Sequence, residues 1–319
     1  MCTTIGFSYN KGQVFGRTLE IGKVLDNKVL YIPKGEKKIL TDGKKLKSKY
    51  NTLGSGFFDI PSFGDGINEQ GLMGSNNLFP GYASFSKESV EGKININTSD
   101  AFDYLLTSAK DVEEVKRLAK EIVILEKIEG REALENHFFF MDAKGKTLVL
   151  EPKEGRLLAY DNPYGVMTNA PSFPWHKENL KNYVHLRAEN KKYKTMNGEQ
   201  VSQFGEGTGM LGIPGDFTPP SRFIRAAYYL SNTDKDMERE PAILQGFRIL
   251  SQFDIPKGAV VDPENNHSDE TLYTSIMDSQ KLSYHLKVHN NINLQNFYIE
   301  DFKEEKEIQF IELDKKMNL

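Results

Sequence analysis

Cysteine occurs once in this 319-residue chain, at position 2, directly behind Met1. Removal of Met1 would leave one residue bearing both a thiol and a free α-amine. The thiolate is the nucleophilic form, and an ordinary thiol with a pKa of about 8.5 is mostly protonated near neutrality. A chain-terminal amine, with a pKa of roughly 7.7–8.0, is a usable base at that pH. Nucleophile and base can therefore reside in one amino acid, the logic of the threonine-plus-amine enzymes.

Four further polar residues have types and positions that suit such a centre. Arg17 ends the returning strand of the first hairpin, where a cation would favour the thiolate; an ordinary strand-end arginine is the alternative. Glu20 can accept from an α-ammonium, pair with Arg17, or lie on the surface. Asn169 follows a strand within Val166–Pro171. Its amide can donate to a developing oxyanion, or serve the turn. Arg222 opens a helix behind the stiff segment Gly215–Pro220, where a cation opposes the helix dipole and so needs a partner. The glycine-rich run Gly205–Gly212 lacks the Lys and Ser/Thr of a phosphate loop. The six histidines show no metal-ligand spacing, so a site without metal or cofactor is expected.

These residues must be held by a framework. Cys2–Tyr9 and Gln13–Arg17 flank turn chemistry at Asn10-Lys11-Gly12 and read as a hairpin. Further strands are predicted at Val29–Ile32, His137–Met141, Thr147–Leu150, Leu157–Tyr160, Gly165–Thr168, Leu272–Met277, Ser283–Val288 and Asn296–Ile299, with a last strand in the charged tail. Helices are predicted over Ala101–Ala109, Val112–Ile122 (opened by a capping box at Asp111), Arg222–Leu230 and Pro241–Phe253. Strands and helix pairs in this order predict an α+β fold with packed sheets inside and helices outside. No repeat or linker divides the chain, so one domain spanning 1–319 is expected.

Composition sets bounds. An apolar share of 38% with 11% aromatics supplies a core. No run reaches the roughly 18 apolar residues of a spanning helix, and the opening residues do not read as a signal peptide, so a cytoplasmic protein is expected. A net charge of −4 gives no reason to invoke nucleic acid. The basic stretch Lys34–Lys49 has neither arginine nor interleaved aromatics and reads as a solvated loop or hairpin tip.

Taken together, several segments resemble the choloylglycine hydrolase family, which comprises conjugated bile acid hydrolases and penicillin V acylases of the N-terminal nucleophile superfamily. They are Met1-Cys2-Thr3, Phe15-Gly16-Arg17, Asp65–Gly74 (DGINEQGLMG), Phe79–Tyr82 (FPGY), Gly165–Pro171 (GVMTNAP), Gly212–Arg222 (GIPGDFTPPSR), Ile255–Val260 (IPKGAV) and Leu272–Ser275 (LYTS). The resemblance implies an αββα sandwich, hydrolysis of a linear amide, and a homotetramer assembled through a long loop, here near Ala188–Phe204. It also implies Cys2 as nucleophile, its freed amine as base, Arg17 beside the sulfur, Asn169 in the oxyanion hole and Arg222 as electrostatic support. Two positions depart from the pattern: Glu20 replaces the usual Asp, and Leu78, preceded by Asn77, stands where Asn or Tyr serves the oxyanion. Apolar pocket walls are expected from Phe57, Phe58, Ile60 and Phe63, with core packing as their other role. A penicillin V acylase-like amidase is the first expectation, bile salt hydrolysis or another N-acyl amide the second. A catalytically silent binding protein on the same fold is the rival.

Overall fold

A computed structural model describes residues 1–23, 25–39, 43–128, 130–264 and 267–316. Two antiparallel sheets face one another. The first runs, in spatial order, Val166–Met167, Cys2–Tyr9, Gly12–Ile21, His267–Asp278, Ser283–Val288 and Asn291–Tyr298, with Val260–Asp262 paired at one end of the long strand. The second runs Arg156–Asp161, Thr147–Lys153, Asn136–Met141, Met73–Leu78, Asp65–Asn68, Thr52–Phe57, Asn27–Ile32 and Gln309–Ile311.

Helices cover the outer faces. Pro219–Ser231 packs on the strand Cys2–Tyr9, and Arg239–Leu250 on Gly12–Ile21 and His267–Asp278. On the far side, Thr98–Ser108 packs on Asp65–Asn68 and Met73–Leu78. The result is the αββα sandwich.

The sequence explains why both faces of the central strands are dry. Strand side chains alternate between faces, and the run Phe138-Phe139-Phe140 is apolar at every position. Phe139 joins Phe15 and Ile67 in the core between the sheets, while Ile5 and Ile276, one step off on their strands, face the outer helices. Phe138 and Phe140 join Phe102, Leu105 and Leu148 under the outer helices. Helix starts follow capping chemistry: Asn97 accepts from the Asp100 N–H at 2.7 Å and Asp111 from the Glu114 N–H at 2.9 Å. Among the described residues no helix is long and apolar enough to cross a membrane.

Most predicted elements occur, with ends moved by a few residues. Three strands in the middle of the second sheet were not predicted: Thr52–Phe57, Asp65–Asn68 and Met73–Leu78. Their sequences, TLGSGF, DGIN and MGSNNL, are rich in glycine, serine and asparagine, which strands usually avoid. Close approach explains Gly54, because a Cβ there would lie 2.1 Å from the Asp65 carbonyl oxygen. The helix Phe173–Asn179 was likewise unpredicted. The basic stretch forms an exposed hairpin, Lys37–Ile39 with Lys45–Lys47; its residues 40–42 lie outside the described residues.

Candidate active site

The hairpin register sets the centre. Cys2 pairs with Leu19 and Thr4 with Arg17, so alternation turns Cys2, Thr4, Arg17 and Leu19 towards the opposite sheet and Thr3 and Thr18 towards the helices. Cys2 is 1% exposed, and Arg17 Nη2 donates to its Sγ at 3.2 Å. Arg17 is itself fully buried, so its charge must be balanced. Asp65 does this: Arg17 Nη1 lies 3.1 Å from Asp65 Oδ2 and also donates to the Tyr273 hydroxyl at 2.9 Å. Tyr273, Ser275 and Tyr284 all donate to the same carboxylate, at 2.6, 3.1 and 2.8 Å. Burial works against the Arg17 cation, but Cys2, Tyr273 and Asp65 outweigh it and hold its pKa above the usual arginine range.

A second buried arginine approaches from the helix side. Arg222 Nη1 donates to the Cys2 carbonyl and, at 2.9 Å, to Thr3 Oγ1. Its Nη2 donates to Asn169 Oδ1 at 2.7 Å, and its Nε to the Phe217 carbonyl at 2.8 Å. These acceptors are neutral, and burial pulls the Arg222 pKa down despite the fields of Glu20 and Cys2. Asn169 Oδ1 also accepts the Cys2 N–H at 3.1 Å, while its Nδ2 donates to the Leu78 carbonyl at 2.8 Å. His176 steadies this loop from below. Burial lowers its pKa to about 4, so it is neutral, and its Nε2 lies 3.1 Å from the Asn169 carbonyl.

Met1 extends the ladder: its amino group donates to the Glu20 carbonyl, and the Glu20 N–H donates to the Met1 carbonyl at 2.9 Å. The register shifts between Leu19 and Glu20. The Glu20 carboxyl is buried, its Oε2 has no partner, and its pKa is raised by that burial against the chain amine and Arg222.

Cys2 and Arg17 form the floor of a cleft of about 300 Å³ whose lining includes Leu19, Phe57, Ile60, Phe63, Leu78 and Leu134. Two expected lining residues lie elsewhere. Asn77 is fully buried, donating to the Thr168 carbonyl and bonded to Thr4 Oγ1, so it ties the two sheets together. Strand alternation instead gives the cleft Asn76 and Leu78. Phe58 sits in a tight turn, half exposed and off the lining. Cys2, Arg17, Glu20, Asn169 and Arg222 do come together. Sequence reasoning missed Asp65, Tyr273, Ser275 and Tyr284. A carboxylate inside a glycine-rich apolar strand, in the quoted run Asp65–Gly74, was the available signal. Among the described residues no group of three or more His, Cys, Asp or Glu side chains could hold a metal ion.

The family model for linear amide C–N hydrolases, choloylglycine hydrolase family, matches residues 2–308. The chain belongs to that family. It is 36% identical to a bile salt hydrolase/transferase of Clostridium perfringens over 91% of this chain and 90% of that one. A crystal structure of a mutant conjugated bile acid hydrolase from the same organism superposes with a TM-score of 0.91 at 32% identity, covering 100% of this chain and 99% of that one. A penicillin V acylase of Pectobacterium atrosepticum is 25% identical, over 74% of this chain and 63% of its own. As a family member the protein is an amidohydrolase of linear amides. Greater likeness lies on the bile acid side, so the first sequence expectation, the penicillin V acylase side, is the less supported of the two.

Proposed function

We propose that the chain, once Met1 is removed, hydrolyses N-acyl amides of the conjugated bile acid kind through Cys2. The observation that carries this is the 3.2 Å contact between Arg17 and the Cys2 sulfur at the floor of an apolar-walled cleft. Such a cleft takes a bulky apolar acyl group, and the reactive carbonyl then lies at the sulfur.

In this reading the thiolate, held beside Arg17, attacks the carbonyl carbon and forms a C–S bond. The oxyanion is met by the remaining Asn169 amide hydrogen and by the backbone near Leu78. With Met1 gone, the α-amine takes the place of the Cys2 N–H beside Asn169 Oδ1, on the side of the Glu20 carboxyl, whose Oε2 has no partner. As an ammonium it gives its proton to the leaving nitrogen while the C–N bond breaks. As an amine it then takes a proton from water, whose oxygen displaces sulfur and releases the acid. Glu20 keeps the charge of the usual Asp with one methylene more, and Leu78 leaves oxyanion contact there to the backbone.

Assembly as a homotetramer belongs to the same proposal. The hairpin Tyr193–Met196 with Glu199–Ser202 is exposed along its whole length and is followed by fully exposed Phe204, which suits an intersubunit arm.

A panel of glycocholyl, taurocholyl, phenoxyacetyl and fatty N-acyl amides, read by release of free amine, tests the substrate class. The highest kcat/KM is expected for the conjugated bile acids. A preference for phenoxyacetyl amides would return the assignment to the penicillin V acylase side.

A further inference from the structure

The cleft wall formed by Phe57–Gly64 is braced at both ends. Phe58 and Asp59 have φ of 55° and 47°, a left-handed conformation that non-glycine residues hold only when their surroundings impose it. At the outer end Lys28 Nζ lies 2.7 Å from Asp59 Oδ1 and 2.7 Å from Glu312 Oε1. At the inner end the Phe63 N–H donates to Asp103 Oδ1 at 2.8 Å, and the Ser62 side chain bonds the same carboxylate.

Asp103 is a costly residue in that place. It lies inside the helix Thr98–Ser108, on its buried face, and is 2% exposed. A carboxylate there costs stability unless it is paired and hydrogen-bonded. Its partner comes from the basic hairpin: Lys38 Nζ is 2.6 Å from Asp103 Oδ2 and 2.8 Å from Asp100 Oδ1. A simple anchor for the hairpin would need no bond to the cleft wall. Yet the second oxygen of Asp103 is spent on the backbone of Phe63, a residue of the cleft lining whose carbonyl accepts from Asn76, another lining residue, at 3.0 Å. Ser99, from the first turn of the same helix, also lines the cleft.

We propose that the Lys38–Asp103 ion pair is a positioning device that fixes Phe63 and so determines how large and rigid an acyl group the cleft admits. Neither residue touches substrate; both act through the Phe63 backbone. The proposal rests on the reading of this cleft as the acyl site. It predicts an effect on binding of rigid polycyclic acyl groups and little on the chemistry at Cys2, which is held by Arg17 and Asn169.

The test compares Asp103→Asn and Lys38→Met with wild type, the second variant guarding against misfolding of the first. Each is assayed on glycocholate and on a glycine conjugate of a straight-chain acid. KM for glycocholate should rise about fivefold or more with kcat within about twofold, and KM for the straight-chain conjugate should stay unchanged. The double variant should be no worse than the worse single, because both changes cut one link. Amide hydrogen exchange at Phe63 should speed up in Lys38→Met. Equal KM changes for both substrates, a fall in kcat alone, or no change would overturn the proposal. A wild type that turns over neither conjugate sinks the acyl-cleft reading, while unchanged exchange at Phe63 sinks the brace itself.

Discussion

Two buried arginines flank Cys2, and they do different work. Arg17 shares the inner face of the first sheet with the sulfur and meets a full negative charge at Asp65. Arg222 comes from the outer helix and meets only neutral oxygens: the Cys2 and Phe217 carbonyls, Thr3 and Asn169. The Arg17 side is a closed, charge-balanced network whose cation faces the thiol. The Arg222 side leaves its positive charge uncompensated within hydrogen-bond reach and fixes the backbone and Asn169, where the amine and oxyanion chemistry is proposed. Burial pulls the Arg222 pKa down, whereas Cys2, Tyr273 and Asp65 overcome burial for Arg17. One arginine thus contacts the sulfur, and the other fixes the backbone and amide around it.

Breaking the balanced side should have the largest effect. Asp65→Asn strands the Arg17 charge in the core, and removal of one partner of a buried pair costs about 3–5 kcal/mol. Urea unfolding should show a loss of that order, and Cys2 alkylation by iodoacetamide should change with it. A stability loss below about 1 kcal/mol would mean that Arg17 finds its balance elsewhere. On the other side, Asn169→Ala should cost less stability, about 1–3 kcal/mol for the buried groups it leaves unpaired, while kcat falls roughly 10²–10³-fold. Wild-type kcat in that variant would remove Asn169 from the oxyanion role.

The smallest effect concerns Glu20. Burial raises its pKa above the ordinary carboxyl value of 4.5, so the folded chain binds this proton more tightly than the unfolded chain does. Its stabilising share is present below about pH 4.5 and is lost as pH rises through the folded value. In protein that retains Met1, Glu20→Gln should therefore be the more stable form at pH 7, and the difference should vanish near pH 4. A variant less stable at pH 7 would show that the carboxylate is paired after all.

The two sheets also differ in how far the sequence reveals them. The first hairpin was legible because Cys2–Tyr9 and Gly12–Ile21 combine strand-forming residues with a plain turn, and from it followed the nearness of Arg17 to Cys2. The middle of the second sheet was not. Gly54 and Gly66 sit where neighbouring backbone leaves no room for a Cβ, and Asn68, Ser75 and Asn77 are buried with partners from distant segments. Local propensity carries no record of such partners. For the same reason Asp65 passed unnoticed: its four donors come from Arg17, Tyr273, Ser275 and Tyr284, far apart in sequence. Cys2, Arg17, Asn169 and Arg222 stood out by residue type and position, and the family resemblance supplied the roles expected of them. Asn77, offered beside Leu78 as a candidate, faces away from the cleft, because one step along a strand reverses the face.

The central claim is that the Cys2 thiol and its own α-amine form one catalytic unit. The direct measurement is intact mass together with amide turnover, on wild-type protein and on protein in which Met1 is retained by a blocking substitution at position 3 that spares Cys2. Activity should be confined to the species lacking Met1, with an acyl thioester trapped on Cys2 by rapid acid quench. Full turnover by protein still carrying Met1, or by Cys2→Ala, would contradict the account.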